Sequence, residues 1–528
     1  MKRMHNFTHK ALLALFLLAR ISAFAQQPDF FYLRPNVEDE YQFVGSFALE
    51  IKSDDGEDSY LVAFCNYVGD WYTEELTSVY PAKVVRLSSQ GEWMGELTLG
   101  EPGRRTVING LYHDPDTPGH VIAAGKIHNN DGHFDQPFLA KFDHNLNLVW
   151  QKEIEMPEPY RKFYYRQRVM MDSRGNIVYC TSPYEKSTSG SGPASFYTPL
   201  LYFRLSKEGE LLTLFETPEV YRFMDIPYGH LFEYADGSGD YGQTLMPNYT
   251  TTIRRMDRNF GMVSTLSLPL NEVVSNSPLT LLTWNGGTND VVAYSCSDGS
   301  MILACGSDLD VFGTGSFKTI IALAKIDTAG NISNYSMLGL AGEHHCKFAY
   351  NPAMVFDGKT AFVCGFSVEY NDDVDKPYIV VAKADENANV VWERYYYEEN
   401  RAFLTYSIMA TSDGGCLVTG HTGVYGVDSA DAFALKFFAD GSVSVPELEE
   451  FARPYAYWPN PAKDELHLQY SPDVKPAQAE LFDLQGRLVR QQRTGLETLS
   501  LEGLAPGTYT LRVTLEGGRT FADKVVKE

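Results

Sequence analysis

The sequence predicts an all-β fold, and three observations carry that expectation. Aromatic residues make up 13% of the chain, with 33 Tyr and 31 Phe, and such side chains suit pleated, half-buried surfaces. Short apolar runs are separated by Gly, Asn and Asp turn signals along most of the length. Those runs also recur, at a period of roughly 58 residues, near that of long propeller blades.

The first segment stands outside this fold. Lys2, Arg3 and Lys10 surround or precede a short apolar run, Ala11 to Leu18, and Ala23-Phe24-Ala25 fits a small-x-small cleavage site ahead of Gln26. Residues 1–25 therefore read as a cleaved signal peptide, since the run is too short to span a bilayer. No later stretch is apolar enough for a transmembrane span. The whole chain carries a formal charge of −24, and losing this basic segment makes it more acidic. Such a surface disfavours nucleic acid and anionic membranes as partners.

Residues 26–446 hold the repeat. Each unit reads as an apolar strand, a Lys or Arg, a turn with Asp, Asn or Gly, and another strand. The pattern is Val85-Arg86-Leu87-Ser88, then Lys141-Phe142-Asp143, Arg204-Leu205-Ser206 and Arg255-Met256-Asp257. It continues as Lys325-Ile326-Asp327, Lys383-Ala384-Asp385 and Lys436-Phe437-Phe438. The last unit shows the layout. Ser407 to Ala410 is strand A, Ser412 to Gly415 a tight turn, Cys416 to Gly420 strand B, Ala432 to Phe438 strand C, and Val443 to Val445 the start of strand D. Strand B of the fourth unit is the least distinct and is assigned to Gln243 to Met246. Four antiparallel strands per repeat make one blade of a β-propeller. Seven units predict seven blades, and the uneven spacings also admit six or eight.

This region resembles the seven-bladed β-propellers of exported Bacteroidota proteins. The resemblance rests on strand pairs such as Thr411-Ser412-Asp413-Gly414-Gly415 followed by Val418-Thr419-Gly420, and on Trp150 and Trp392, each seven residues after its Asp anchor. It implies a fold and no particular activity. The repeat also bears on the seven cysteines. Cys65, Cys180, Cys305 and Cys364 are assigned to one strand-B slot, filled by Ala124 and Thr419 in other units. Equivalent slots in different blades are too far apart for a disulfide, so buried free thiols are expected.

Residues 447–454 read as a short acidic linker, and residues 455–528 as a small Ig-like β-sandwich of short strands with turn signals. Leu466, Leu468 and Tyr470 alternate along one strand, and Tyr509, Leu511 and Val513 along another. Asp483 to Gly486 and Pro506-Gly507 read as turns. This segment resembles the type A sorting domain of the type IX secretion system. The matching motifs are Trp458-Pro459-Asn460-Pro461, Leu481-Phe482-Asp483-Leu484-Gln485-Gly486-Arg487, Leu504-Ala505-Pro506-Gly507-Thr508-Tyr509 and the basic terminus Lys524-Val525-Val526-Lys527. Trp458 departs from the family, which more often has an aliphatic residue or Tyr there. The resemblance implies two partners, the type IX machinery and its sorting protease. It places the protein, after passage through the periplasm, on the outer-membrane surface or in the medium.

No catalytic constellation stands out. There is no Gly-x-Ser-x-Gly elbow and no His-Glu-x-x-His. Glu343-His344-His345-Cys346, and the group His113, Asp114, Asp116 and His120, have metal-binding residue types without metal-site spacing. The loops between strands B and C are the better candidates, with 14 acidic and 4 basic residues over 66–80, 126–137, 182–199, 307–319, 368–377 and 421–432. They contain Trp71, Tyr72, Tyr370 and Tyr425, beside acids that include Asp135 and Asp431. Acids with aromatics suit a glycan or a calcium ion. Asp372, Asp373 and Asp375 form a weak calcium candidate, lacking the Gly and distal Glu of an EF-hand loop; no other cofactor is expected. The reading favoured is a non-catalytic module for an extracellular ligand, glycan or protein. The alternative is an extracellular propeller enzyme acting on polysaccharide.

Overall fold

A computed structural model of the full chain describes residues 31–34, 42–52, 56, 58–67, 81–129, 134–160, 167–183, 197–222, 229–245, 252–268, 279–280, 291–310, 317–339, 345–348, 353–368, 378–396, 398, 401–424, 430–441, 455–470, 475–483, 487–515 and 520–528. These residues contain no helix.

Seven antiparallel sheets occupy the first part of the described chain. Strand β1 is Phe31–Arg34. Blade 1 is Gln42–Lys52, Asp58–Tyr67, Ala82–Ser88 and Trp93–Leu99 (β2 to β5). Blade 2 is Thr106–His113, His120–Asn129, Phe134–Asp143 and Leu148–Glu153 (β6 to β9). Blade 3 is Arg168–Met171, Ile177–Thr181, Tyr197–Leu205 and Leu211–Arg222 (β10 to β13). Blade 4 is Leu231–Glu233, Tyr241–Leu245, Thr252–Met256 and Met262–Ser267 (β14 to β17). In blade 5 the inner position is split between Leu279–Thr280 and Val292–Ser295 (β18, β19), both paired to Met301–Asp310 (β20), with Phe317–Ile326 and Ile332–Leu338 (β21, β22) outside. Blade 6 repeats the split with His345–Phe348 and Met354–Phe356 (β23, β24), then Thr360–Val368, Ile379–Asp385 and Val390–Tyr396 (β25 to β27). Blade 7 is Arg401–Ala410, Cys416–Val424 and Ala430–Phe437 (β28 to β30).

The ring closes on itself. Inner strands touch in order, β2 to β6, β6 to β10, β10 to β14, β14 to β19, and β24 to β28 and β28 back to β2. Between blades 5 and 6, the Tyr294 hydroxyl donates to the Met354 carbonyl at 3.2 Å. The fourth strand of blade 7 is a correction to the sequence reading. The place beside β30 is held by β1, antiparallel, with Phe31 opposite Leu435 and Arg34 opposite Ala432. Sequence periodicity cannot show this, because the strand lies at the other end of the chain from the blade it completes. Val443 to Val445, expected there, lies outside the described residues. The fourth unit's strand B is β15, near the predicted position.

The repeat unit now has a physical cause. After strand C, residue Ser88, Asp143, Ser206, Asp257, Asp327 or Asp385 accepts two backbone N–H bonds, from residues two and four further on. A short polar side chain at that position competes well for backbone donors and fixes the turn. The residue three further on takes positive φ. It is Gly91, Gly209 or Gly330 in three turns, but Leu146, Phe260 or Ala388 in the others, with φ of 67°, 66° and 62°. A one-residue bulge precedes each of these six turns.

The Lys or Arg two residues before the turn anchors neighbouring turns. Lys141 Nζ reaches Asp114 at 2.5 Å, Arg255 Nε reaches Asp240 at 2.7 Å, and Lys436 Nζ reaches Asp413 at 2.7 Å. Arg86 instead reaches Asn145, and Lys383 the Gly414 carbonyl, in the next blade. The Asp114 group is thus a lysine site: Lys207 from blade 3 also binds Asp114, at 3.0 Å, and Asp116.

The strand registers amend the cysteine slot. Cys180 and Cys364 do share a position, four residues along strand B from the A–B turn, with Ala63, Ala124, Thr244, Ala304 and Thr419 in the other blades; all seven are fully or almost fully buried. Cys65 lies two residues further on and Cys305 one residue further, on the opposite face. Spacing alone missed this because the position is set by pairing with strand C, where Cys180 lies opposite Tyr202 and Cys305 opposite Ala322. The six cysteines with described side chains are buried and form no disulfide with one another.

The C-terminal residues form two facing sheets. Tyr455–Trp458, Glu465–Tyr470 and Thr498–Ser500 (β31, β32, β35) make one; Pro476–Phe482, Leu488–Gln492, Gly507–Leu515 and Thr520–Lys527 (β33, β34, β36, β37) make the other. Leu466, Leu468, Leu511, Val513 and Val525 fill the space between. Pro506-Gly507 does not form the expected turn: Gly507 opens β36, and the turn lies at Leu501 to Leu504, with Gly503 at φ 80°.

Candidate ligand-binding face

In an antiparallel four-stranded blade the B–C and D–A connections leave from one end. The seven B–C connections here follow Tyr67, Asn129, Thr181, Leu245, Asp310, Val368 and Val424, so they gather on one face of the ring. The strands run further into these connections than the sequence suggests. Residues 126–129, 134–137, 307–310, 317–319 and 421–424, expected as loop, are strand.

Asp135 is one consequence. Expected on a loop, it lies on β8 and is buried. Lys126 Nζ donates to its Oδ2 at 2.6 Å, and the His128 Nδ1 sits 3.0 Å from its Oδ1. Burial pushes the Asp135 carboxyl up, but the Lys126 ammonium and His128 outweigh it, so the group stays below the usual carboxylate range. Arg104 beside it donates to the His128 carbonyl at 3.2 Å and pairs with Glu153 at 2.8 Å. Blade 7 carries a similar arrangement, with Arg401 bridging Asp431 at 3.2 Å and Glu398 at 3.1 Å.

A second buried polar group joins blades 3 and 4. The Tyr202 hydroxyl donates to Gln243 Oε1, and Gln243 Nε2 to the Cys180 sulfur at 3.1 Å. Arg254 donates to the Tyr221 hydroxyl at 3.0 Å. Burial drives the Cys180 thiol up to about 12, against the pull of its hydrogen-bond partners, which keeps it protonated at neutral pH. Nearer the axis, the His230 Nδ1 lies 2.9 Å from the Ala293 carbonyl of the next blade, and the Tyr112 hydroxyl donates to Val169 at 3.1 Å. These side chains pin neighbouring inner strands. Burial lowers His230 and His421 to about 4.

The structure does not reach the other predicted site residues. Trp71, Tyr72, Tyr370, Asp372, Asp373, Asp375 and Tyr425 lie outside the described residues. Among the described residues, no group of three His, Cys, Asp or Glu could hold a metal ion. The sequence reading missed Lys126, His128 and Arg254. The available signal was a charged residue inside an otherwise apolar strand, as in Ile253-Arg254-Arg255-Met256.

In the sandwich, the first and last sorting motifs meet, and the two between them are braced internally. Asn460 Oδ1 accepts the Val526 N–H at 2.8 Å, Ala462 exchanges backbone bonds with Val526 and Glu528, and Lys527 Nζ lies 3.3 Å from Asp464. Asp483 holds Arg487 through its backbone N–H and its guanidinium, and the Tyr509 hydroxyl donates to Ala505.

A family model described as the secretion system C-terminal sorting domain matches residues 456–528. Among curated protein sequences nothing matches. Solved structures also match, at low identity. A member of the DUF4221 family from Bacteroides vulgatus is 8% identical, covering 77% of this chain and 96% of its own, with a TM-score of 0.33. The NanB sialidase of Streptococcus pneumoniae is 10% identical, covering 76% and 94%, at 0.38. An alpha-L-arabinanase of Penicillium chrysogenum is 9% identical, covering 78% and 98%, at 0.35. Similarity this distant is silent on activity. The ring of four-stranded blades and the matched C-terminal domain together make this chain a β-propeller with a type IX secretion sorting domain, exported to the cell surface or released.

Proposed function

We propose that the propeller is a non-catalytic module that binds an extracellular glycan on the face where the B–C loops gather. In this reading residues 26–446 form the binding domain, 447–454 the linker and 455–528 the segment removed by the sorting protease. The supporting observation is the order of the ring. Blade 7 lies between blades 6 and 1, with β28 touching β25 on one side and β2 on the other. The loop with Tyr370, Asp372, Asp373 and Asp375 belongs to blade 6, that with Tyr425 to blade 7, and that with Trp71 and Tyr72 to blade 1. Three consecutive blades thus supply the aromatics and acids, although the chain separates them widely. Rigid scaffolds with such loops are common binding surfaces.

The acids of this face that are described also favour binding over catalysis. Asp135 and Asp431 are held by Lys126 and Arg401, and a carboxylate locked to a cation is a poor general acid. The test is glycan-array binding by the mature protein and by Trp71→Ala. The expected result is binding lost or cut at least tenfold, as removal of an aromatic anchor often does, with an unchanged melting temperature. Binding unaffected by the substitution, or release of reducing sugar from a polysaccharide, would overturn the reading. Calcium raising the melting temperature would instead assign Asp372, Asp373 and Asp375 to a cation.

A further inference from the structure

The strand-C cation forms an ion pair with a carboxylate in blades 2, 4 and 7, whereas the nearby carboxylate Asp298 accepts from Ser300 and forms no such pair in blade 5. There the cation is Lys325, and its Nζ lies 3.2 Å from the sulfur of Cys296. Cys296 is the first residue of its A–B turn, with its N–H donating to the Ser300 carbonyl. Asp114 and Asp172 hold the same position in blades 2 and 3, donating to His120 and Asn176. A thiol therefore stands where blades 2 and 3 put an acid, and in blade 2 that acid also faces the strand-C cation, Lys141. Both side chains are buried, Cys296 at 7% exposure and Lys325 at 8%, and Cys296 has no disulfide partner. Burial keeps the nitrogen and sulfur facing each other, which gives them a high effective concentration. It also shields the sulfur from bulky thiols more than from a molecule as small as dioxygen.

We propose that Cys296 and Lys325 are a modification site, at which dioxygen outside the cell joins them through one oxygen atom. The balance is Cys–SH plus Lys–NH2 plus O2 giving Cys–S–O–NH–Lys plus H2O, after the ammonium has released a proton to solvent. The S–H bond and one N–H bond break, and an S–O and an O–N bond form. Sulfur and nitrogen each lose two electrons. Those four electrons reduce the dioxygen, whose second atom leaves as water with the two hydrogens. A neighbouring cation favours attack at a cysteine, and capture of oxidised sulfur by a nearby nitrogen is known chemistry for this residue. The link would tie strand C to the A–B turn of blade 5, as an ion pair does in blade 2, but it would be broken by a reductant.

The test uses the mature full-length protein, purified in air without reductant and digested without reductant. Mass spectrometry should find the Cys296 and Lys325 peptides joined, about 14 Da above the sum of the two, for one oxygen gained and two hydrogens lost. Thiol titration of the denatured protein should find one fewer than its seven cysteines, and all seven after dithiothreitol. Cys296→Ser and Lys325→Arg should each abolish the joined peptide; the arginine keeps the charge and removes the amine. Separate peptides with Cys296 as free thiol or sulfinic acid would overturn the proposal. So would a joined peptide about 2 Da below the sum, which is a direct sulfur–nitrogen bond. The wild-type mass decides the matter even if a variant fails to fold.

Discussion

Ala388 and Phe260 occupy the same turn position and pay for it differently. Both take positive φ, at 62° and 66°, where a side chain costs about 1 kcal/mol or more relative to glycine. Ala388 brings only a methyl group to the core. Phe260 brings a buried ring that stacks on Tyr202 and Tyr241, at centroid distances of 5.5 and 5.4 Å. Ala388→Gly should therefore raise stability by up to about 1 kcal/mol, while Phe260→Gly should lower it by about 3 kcal/mol or more. Urea midpoints for the two variants give the signs. The buried histidines predict a pH dependence. His230 and His421 titrate near 4 when folded, against an ordinary 6.5. Their neutral forms support the fold fully above the unfolded value. That support is lost as the pH falls from about 6.5 towards 4. Urea midpoints should drop across this window, and a His230→Gln, His421→Gln double variant should show a flatter slope.

At the level of elements, the C–D turn is the unit of the repeat. Asp385 accepts N–H bonds from Asn387 and Asn389, both at 2.9 Å, and a third from the Asn389 side chain at 2.8 Å. Asp385→Ala should cost about 1–2 kcal/mol by leaving those donors without their acceptor, and Asp385→Asn noticeably less. Equal losses in thermal unfolding would mean that the side-chain acceptor is immaterial. This turn also explains what the sequence made readable. Asp143, Asp257, Asp327 and Asp385 announce themselves because local hydrogen bonding dictates their type, and so does the Lys or Arg before them. Their strands followed with little error. Lys126, His128 and Asp135 were hidden, because their meaning depends on a pairing across strands that local spacing does not encode. The outer strand of blade 7 was hidden for the same reason. Leu146, Phe260 and Ala388 disguised the turn where glycine would have marked it.

On the scale of the molecule, the sorting domain and the propeller are built on separate cores. The sandwich has its own core, closed between its two sheets, and the propeller's cores are built from its blades. Removing residues 455–528 should leave the propeller folded and trapped in the periplasm, since domains fold as units. Fractionation and western blotting, with circular dichroism of the recovered protein, check both halves of the expectation. Normal levels in the medium would separate export from the sorting domain.

Phe31–Arg34 completes the blade that is made last. For a protein threaded through a membrane from its N-terminus, this sets an order of events. The earliest strand to emerge must wait, unpaired, until Ala432 to Leu435 arrive to receive it. A chain interrupted anywhere before that point keeps a gap in its circle and an exposed sheet edge, the kind of edge on which other chains aggregate. The address label follows immediately in the sequence. Departure thus comes within reach of a polypeptide only after the means to finish its circle has been delivered, so a half-made propeller carries no ticket out of the cell.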